Sequence, residues 1–350
     1  MQLEEIIKDI KPLDEAAMQS ARARQDTLTK PRGSLGRLEE LSIQLAGMKA
    51  NPFPSVARKA VIVMAADHGI AREGVSAYPP EVTAQMVLNF LGGGAAINVL
   101  ARQAGARVTV VDIGVAVELE PMPGLIRRKI MCGTRSLAQG PAMTREEAEQ
   151  ALQAGMDVLN EEAARGLDII ATGDMGIGNT TPSSAIAAAI TGLPVAQVVG
   201  RGTGIDDQGL ERKIQVIERA LAVNQPNATD AMDVLHKVGG LEIAGLAGVM
   251  ISAASLRIPV VVDGFISTAA AMIAVGLVPN VRDYLIAAHQ SVEIGHQAML
   301  KHLMLTPLLD LHMRLGEGTG AALALHLIEA STRILREMAT FDEAGVSEKE

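Results

Sequence analysis

Ionisable residues and glycines recur together at the ends of short apolar runs: Asp67-His68-Gly69, Asp112, Gly173-Asp174, Gly200-Arg201-Gly202, Asp263-Gly264 and His289-Gln290-Ser291. Carboxylates and imidazoles hold or move protons, and glycine lets a ligand approach the backbone. One further carboxylate is placed differently. The stretch "RLGEGTGAALAL", residues 314–325, sets Glu317 between two glycines at the mouth of an apolar helix. Pattern alone favours a plain role, in which Glu317 complements the dipole of the helix that starts near Thr319. A chemical role stays open.

Two glycine-rich loops carry more polar groups. In "GDMGIGNTTPSSAIAAAI", residues 173–190, three glycines permit close ligand approach, Thr181 suits an N-cap and Pro182 the first helical position. The Ala-rich helix behind would aim free N–H groups and its positive dipole end at the loop, which makes an anion site. The spacing is neither G-x-x-x-x-G-K-[ST] nor a strict G-x-G-x-x-G, so a structural capping turn is the alternative. The second loop, "GRGTGIDDQGLERK", brings Arg201 and, on the next helix, Lys213. Either could neutralise a phosphate, although Lys213 reads equally as a solvated helix residue. His68, His289 and His296 form neither H-E-x-x-H nor a Cys/His cluster, so no metal site is expected.

Composition limits what these groups can serve. The 350 residues are 48% hydrophobic and 20% charged, enough to bury a large core that 17 Met residues help to fill. A net charge of -9 without a basic run argues against a nucleic-acid surface, and two Tyr, four Phe and no Trp leave few rings for base stacking. Cys132 is the only cysteine, which permits no intrachain disulfide and fits a reducing compartment. The start, "MQLEEIIKDIKPLDEAA", has acids where a signal peptide needs basic and apolar blocks. The longest uncharged apolar stretch is read as Ile243 to Leu256, interrupted by glycines and serines, which falls short of the ~20 residues of a membrane helix. A cytoplasmic protein without nucleic-acid or membrane partners is expected.

The elements that must position the polar groups follow from periodicity. The first fifty residues read as amphipathic helix, with Leu35, Leu38, Leu41 and Leu45 at helical spacing after the breaker "KPRGS". From Ala60, the runs "KAVIVMAADHG", "RVTVVDIGV", "LDIIATGDMG", "PVAQVVGRGTG", "IPVVVDGF" and "YLIAAHQS" alternate with Ala-rich helical stretches. Such runs predict strands buried on both faces, hence a parallel α/β sheet with right-handed crossovers. All six polar endings then share one edge, where open α/β sheets bind ligands. From about His289 the pattern turns helical again, with Leu303, Leu305, Leu308, Leu309 and Leu311 crowded together and a long helix after Gly320. The expected organisation is an α/β domain over 58–288 and a small helical domain made of 1–57 with 289–350.

In order along the chain, "LTKPRGSLGRLE", "ADHGIAREGVSAYPPEVTAQM", "GDMGIGNTTPSSA", "NQPN", "KVGGLEIAGLAGVM", "DGFISTAA", "AHQS" and "RLGEGTGAALA" resemble the nicotinate-nucleotide:dimethylbenzimidazole phosphoribosyltransferases of cobalamin (vitamin B12) nucleotide-loop assembly. The likeness runs from about Leu28 to the helix after Gly320. It implies a Rossmann-like nucleotide-binding domain with helices on both faces, a site reached by both domains, and a homodimer. The implied reaction moves the 5-phosphoribosyl group from nicotinate mononucleotide to 5,6-dimethylbenzimidazole or a related base, giving α-ribazole 5-phosphate and nicotinate. No metal or other cofactor is implied.

Residue by residue, the resemblance makes Glu317 the base that takes the acceptor's proton and places Asp174 beside the reacting sugar. Phosphate is expected on Gly176, Ile177, Gly178, Asn179 and Thr180, with Gly202 and Lys213 nearby. Asp263 and Ser291 would bond ribose or fix Glu317. Tyr78, Pro79, Gln85, Met86, Met175 and Leu315 are the expected apolar slot for the benzimidazole. One position departs from the pattern: Asp174 stands where some family members carry glutamate, which keeps the charge and shortens the reach by one methylene. Two rival classes share parts of the pattern. A regulatory nucleotide-binding module would need no carboxylate at the sugar, and another sugar-phosphate enzyme would need a second acid or a metal.

Overall fold

The computed structural model describes residue 6 and residues 8–347; residues 1–5, 7 and 348–350, parts of the terminal segments read as a helical domain, lie outside the described residues. Strands β1 (Lys59–Ala66), β2 (Ala106–Gly114), β3 (Leu125–Arg127), β4 (Ile169–Met175), β5 (Val260–Val262) and β6 (Leu285–Ala287) form one parallel sheet in the order β3-β2-β1-β4-β5-β6. This is the doubly wound Rossmann order, which reverses direction between β1 and β4.

β1 is buried at every position because it serves two helix layers. Met64 faces Gly245 of the helix Leu241–Ser255, whereas Val61 lies against Gly318, at the head of the helix Thr319–Glu337. One layer groups Arg145–Ala164, Leu241–Ser255 and Phe265–Leu277; the other groups Arg37–Lys49, Ala96–Ala104 and Thr319–Glu337. Helices start where a cap is supplied. Thr144 and Glu147 form a reciprocal capping box before Arg145–Ala164, and Asp206 and Asp230 accept backbone N–H groups at the heads of Asp207–Asn224 and Ala231–Val238.

The two ends of the chain meet. Glu15–Thr27 and Arg37–Lys49 pack with Thr319–Glu337, and Ala17, Ala21, Ala46 and Leu335 fill the contact. Leu41, Leu45 and Met48 also join the main core with Ala321, Leu325 and Ile328.

Four expectations need correction. The run "PVAQVVGRGTG" is not a strand but a short 3₁₀ turn, Val195–Gln197, followed by loop. β4 pairs directly with β5, so the sheet has no slot for it, and Val198 is buried instead with its backbone against Gly295. A buried run mimics a strand pattern by its apolarity alone. Conversely, β3 lies in "LIR", too short and too exposed to stand out. The leucines after Leu303 are not helical. Met304 ends the helix Ile294–Leu303 in a left-handed conformation, and the N–H groups of Leu308 and Leu309 bond to carbonyls at the end of β6. Finally, residues 82–101 are a longer uncharged run than 243–256; Val82–Ala104 has the length and composition to cross a membrane, yet residues 92–94, all glycine, separate it into Val82–Leu91 and Ala96–Ala104.

Candidate active site

A cavity of about 620 Å³ opens over the carboxyl ends of β4, β5 and β6, on one side of the point where the strand order reverses. Ligands of open α/β sheets collect there because loops and helix N-termini converge. Of the expected site residues, Tyr78, Asp174, Asn179, Thr180, Gly202, Ser291 and Leu315 line it, joined by Gly264 and His289 from the polar strand endings. The other expected site residues do not. Lys213, Asp263 and Glu317 are buried, in contact with that wall or with its flanking turns. Pro79 and Met175 adjoin the lining residues Tyr78 and Asp174 without lining the cavity themselves, and Gln85 and Met86 lie on the helix Val82–Leu91, which contributes no lining residue.

The loop 176–180 closes largely on itself. The Ile177 N–H donates to Thr83 Oγ1 at 3.1 Å, the Asn179 N–H to the Gly176 carbonyl at 3.1 Å, and the Thr181 N–H to the Gly178 carbonyl at 2.9 Å. The helix Thr180–Thr191 therefore begins before Thr181 and has no side-chain cap, so Thr181 is not the N-cap and Pro182 is not its first residue. Backbone turns do the capping that a side chain was expected to do. The Asn179 amide is turned back to donate to Asp174 Oδ2 at 2.9 Å.

Lys213 is fully buried rather than solvated. Its Nζ donates to Thr180 Oγ1 at 2.6 Å and to the Gly200 carbonyl at 3.4 Å. Burial pushes its pKa down to about 8, against the opposing pull of Glu293. Arg201 is engaged elsewhere, with the Ile205 carbonyl and Asp207.

Gly316, Glu317 and Gly318 all have positive φ, at 83°, 63° and 93°. The glycines adopt this left-handed turn freely, whereas for glutamate it is an uncommon conformation. The chain here passes so close to β4 that a Cβ on Gly173 would stand 2.3 Å from the Glu317 carbonyl oxygen. The Glu317 side chain is buried and accepts one hydrogen bond, from the Ile97 N–H at 3.3 Å. Burial raises its pKa; the Ile97 N–H opposes this and the charge of Asp263 adds to it.

The helix after Glu317 is capped by Asp263. Its Oδ1 accepts the Ala321 N–H at 2.9 Å and its Oδ2 the Gly318 N–H at 3.2 Å. The dipole-complementing role that pattern suggested for Glu317 thus belongs to Asp263, because the end of β5 lies directly beneath that helix head. Burial raises the Asp263 pKa, against the nearby His289, 3.8 Å away, and the backbone N–H groups. Asp174 is pushed well above the usual carboxylate range by burial and then by the charges of Asp263 and Glu242, with the Asn179 amide opposing and Glu317 adding a little. Four acidic side chains, Asp174, Asp263, Glu317 and Glu242, thus crowd one buried neighbourhood beside the cavity.

His68 and His296 are hydrogen-bonded within the protein, whereas His289 lines the cavity. His68 Nε2 contacts Glu242 Oε1 at 2.9 Å, and His296 lies between Thr268 Oγ1 and the Ser291 N–H, each at 2.9 Å. Burial and then the charge of His289 lower the His296 pKa to about 3. Among the described residues no group of three or more His, Cys, Asp and Glu side chains is placed to hold a metal.

Sequence reasoning missed Arg314, Glu293 and Phe265 in the cavity wall. Arg314, whose Nη1 donates to the Gly202 carbonyl at 2.8 Å, had a signal, since it opens the stretch containing Glu317. Glu293 had none, because its partner is 91 positions away.

The family model described as phosphoribosyltransferase matches residues 10–346. The chain is 63% identical to the nicotinate-nucleotide--dimethylbenzimidazole phosphoribosyltransferase of Roseiflexus sp. (strain RS-1) and 62% identical to that of Chloroflexus aggregans (strain MD-66 / DSM 9485). Each match covers 99% of this chain and 98% of the relative. Among solved structures, CobT from Thermus thermophilus superposes with a TM-score of 0.93 at 51% identity, covering 95% of this chain and 100% of that one.

Proposed function

Because this chain belongs to the phosphoribosyltransferase family, matched over residues 10–346, we propose that the crevice above β4, β5 and β6 is where it moves a phosphoribosyl group between two bases. It transfers the 5-phosphoribosyl group from nicotinate mononucleotide to 5,6-dimethylbenzimidazole, giving α-ribazole 5-phosphate and nicotinate, in cobalamin biosynthesis. The observation that carries the site assignment is Glu317: a buried carboxylate, held by a single 3.3 Å hydrogen bond, two residues from Leu315 on the cavity wall.

The chemistry explains why one carboxylate suffices. The pyridinium nitrogen leaves with its bonding electrons and becomes neutral, so no acid must protonate it. The benzimidazole attacks through one ring nitrogen while the other still carries a proton. Glu317 takes that proton, and burial, by raising its pKa, makes it the stronger base. Asp174 faces the cavity beside the reacting sugar, where a cation develops in an oxocarbenium-like transition state.

The phosphate sits by the loop Gly176, Ile177, Gly178, Asn179 and Thr180, with Gly202 and Lys213. Two of those five N–H groups, of Ile177 and Asn179, already have partners, which raises the share of Lys213 and the Thr180 hydroxyl. Asp263, with both oxygens engaged by the helix head, positions Glu317, and Ser291 is left for ribose. Tyr78 and Leu315 form the wet end of the benzimidazole slot, which Pro79, Gln85, Met86 and Met175 continue.

The terminal segments, 1–57 with 289–350, act as a small helical domain beside the α/β domain, 58–288. The protein works as a homodimer in the cytoplasm, without a nucleic-acid or membrane partner. Exposed Tyr78, Val292, Ile294, Leu311 and Leu315 support a covered apolar face. The deciding assay incubates the protein with nicotinate mononucleotide, with and without dimethylbenzimidazole. Nicotinate should appear only with the base. Equal release without it marks a hydrolase, and no release in either case sinks the assignment.

A further inference from the structure

The cavity wall holds a carboxylate that the reaction does not use. Glu293 is 6% exposed, and its Oε1 accepts the Gly202 N–H at 2.9 Å. Its Oε2 is buried without a hydrogen-bond partner among the described residues. The side chain is pressed so closely on Gly200 that a Cβ there would stand 2.0 Å from Oε2. Glu293 precedes the helix Ile294–Leu303, yet it makes no side-chain cap to that helix, so capping does not account for its position.

What surrounds it is a donor set for an anion. Lys213 Nζ bonds both the Gly200 carbonyl and Thr180 Oγ1, and the Gly202 N–H points to the same place. A backbone N–H, a hydroxyl and a buried ammonium together recognise phosphate through charge-assisted bonds. Here an internal carboxylate takes the Gly202 donor.

We propose that Glu293 is the resident anion of the phosphate subsite: it holds the Gly202 loop ready in the empty protein, and the nucleotide's phosphate displaces it. The inference rests on the placement of that phosphate at Gly202 and Lys213. Two anions cannot share one N–H donor without strong repulsion, so phosphate binds only as Glu293 leaves. A nucleoside brings no anion and leaves Glu293 in place. The exchange therefore accompanies nucleotide binding and not nucleoside binding.

The test titrates inorganic phosphate, nicotinate mononucleotide and nicotinate riboside into the parent protein, Glu293→Gln, Glu293→Ala and Lys213→Ala by calorimetry. Both Glu293 variants should bind phosphate and the mononucleotide about tenfold more tightly, the order of an ordinary coupling between two sites, with riboside affinity unchanged. Lys213→Ala should bind phosphate and mononucleotide more weakly. If Lys213→Ala changes nothing, the phosphate lies elsewhere and the placement falls together with the inference. If Lys213→Ala weakens binding while the Glu293 variants bind phosphate no more tightly, the placement stands and Glu293 is not the competitor. A crystal structure of the parent protein with nicotinate mononucleotide reads the same point without a variant. The Glu293 carboxylate should have left the Gly202 N–H; an intact bond beside bound phosphate overturns the proposal.

Discussion

A carboxylate that takes a proton must be a good base and free to reach its substrate, and Glu317 meets both conditions through burial and a single long hydrogen bond. Glu317→Gln keeps the shape but cannot accept the proton, so turnover should fall by about 10²-fold or more. Mononucleotide binding should barely change, and an acceptor that needs no deprotonation should be less affected. A variant with near-normal turnover would move the search for the base to Asp174 and Asp263. For Asp174, turnover of Asp174→Asn should fall more than the mononucleotide KM rises. The same substitution should affect stability in a pH-dependent way. The folded-state pKa of Asp174 is raised, so its favourable contribution is complete below the unfolded value near 3.8 and is lost as pH rises through the folded value. Asp174→Asn should therefore be more stable than the parent at neutral pH, and the difference should close below about pH 4, as thermal unfolding at both pH values would reveal.

Elements transmit position to these residues. Asp263, at the end of β5, holds the head of the helix Thr319–Glu337 through the Gly318 and Ala321 N–H groups, and so fixes the left-handed turn that carries Glu317. Asp263→Ala leaves those buried donors unpaired, which should cost about 1–3 kcal/mol in denaturant unfolding. Turnover should drop in the still-folded variant as the turn loosens. Lost stability with full turnover would reduce Asp263 to a helix cap. Both effects belong to one element meeting another, since the two segments are far apart in the chain.

At the scale of the molecule, the buried pair His68–Glu242 links the end of β1 to the helix Leu241–Ser255. Burial lowers the His68 pKa, but the charge and hydrogen bond of Glu242, with the charge of Asp67, outweigh it and the net shift is upward. The pair's contribution is then complete below the unfolded value of 6.5 and fades as pH rises through the folded value. Glu242→Gln strips a buried charge of its partner and should cost about 3–5 kcal/mol near pH 6, with a smaller difference from the parent in alkaline solution. A constant difference across that range would assign the pair no titrating role. Assembly is the other property at this scale. Sedimentation of the purified protein should give twice the chain mass, and a species of single chain mass at micromolar concentration would count against the homodimer.

Linear pattern was enough to specify the sheet class and five of its strands, because β1, β2, β4, β5 and β6 are apolar runs ended by glycine or a polar residue. It also determined which edge collects the polar groups and which family the ordered motifs resemble. Those features are local, or repeat with a period that a linear chain displays. Only packing shows that 195–199 is no strand, since β4 pairs directly with β5 and the Val198 backbone lies against Gly295 instead. It decided that Lys213 is buried, that Asp263 rather than Glu317 caps the last long helix, and that Glu293 rests on Gly202. Periodicity records how apolar a residue's average surroundings must be. The partner of a buried charge is set by which distant segment packing brings within about 3 Å, and no local pattern carries that information.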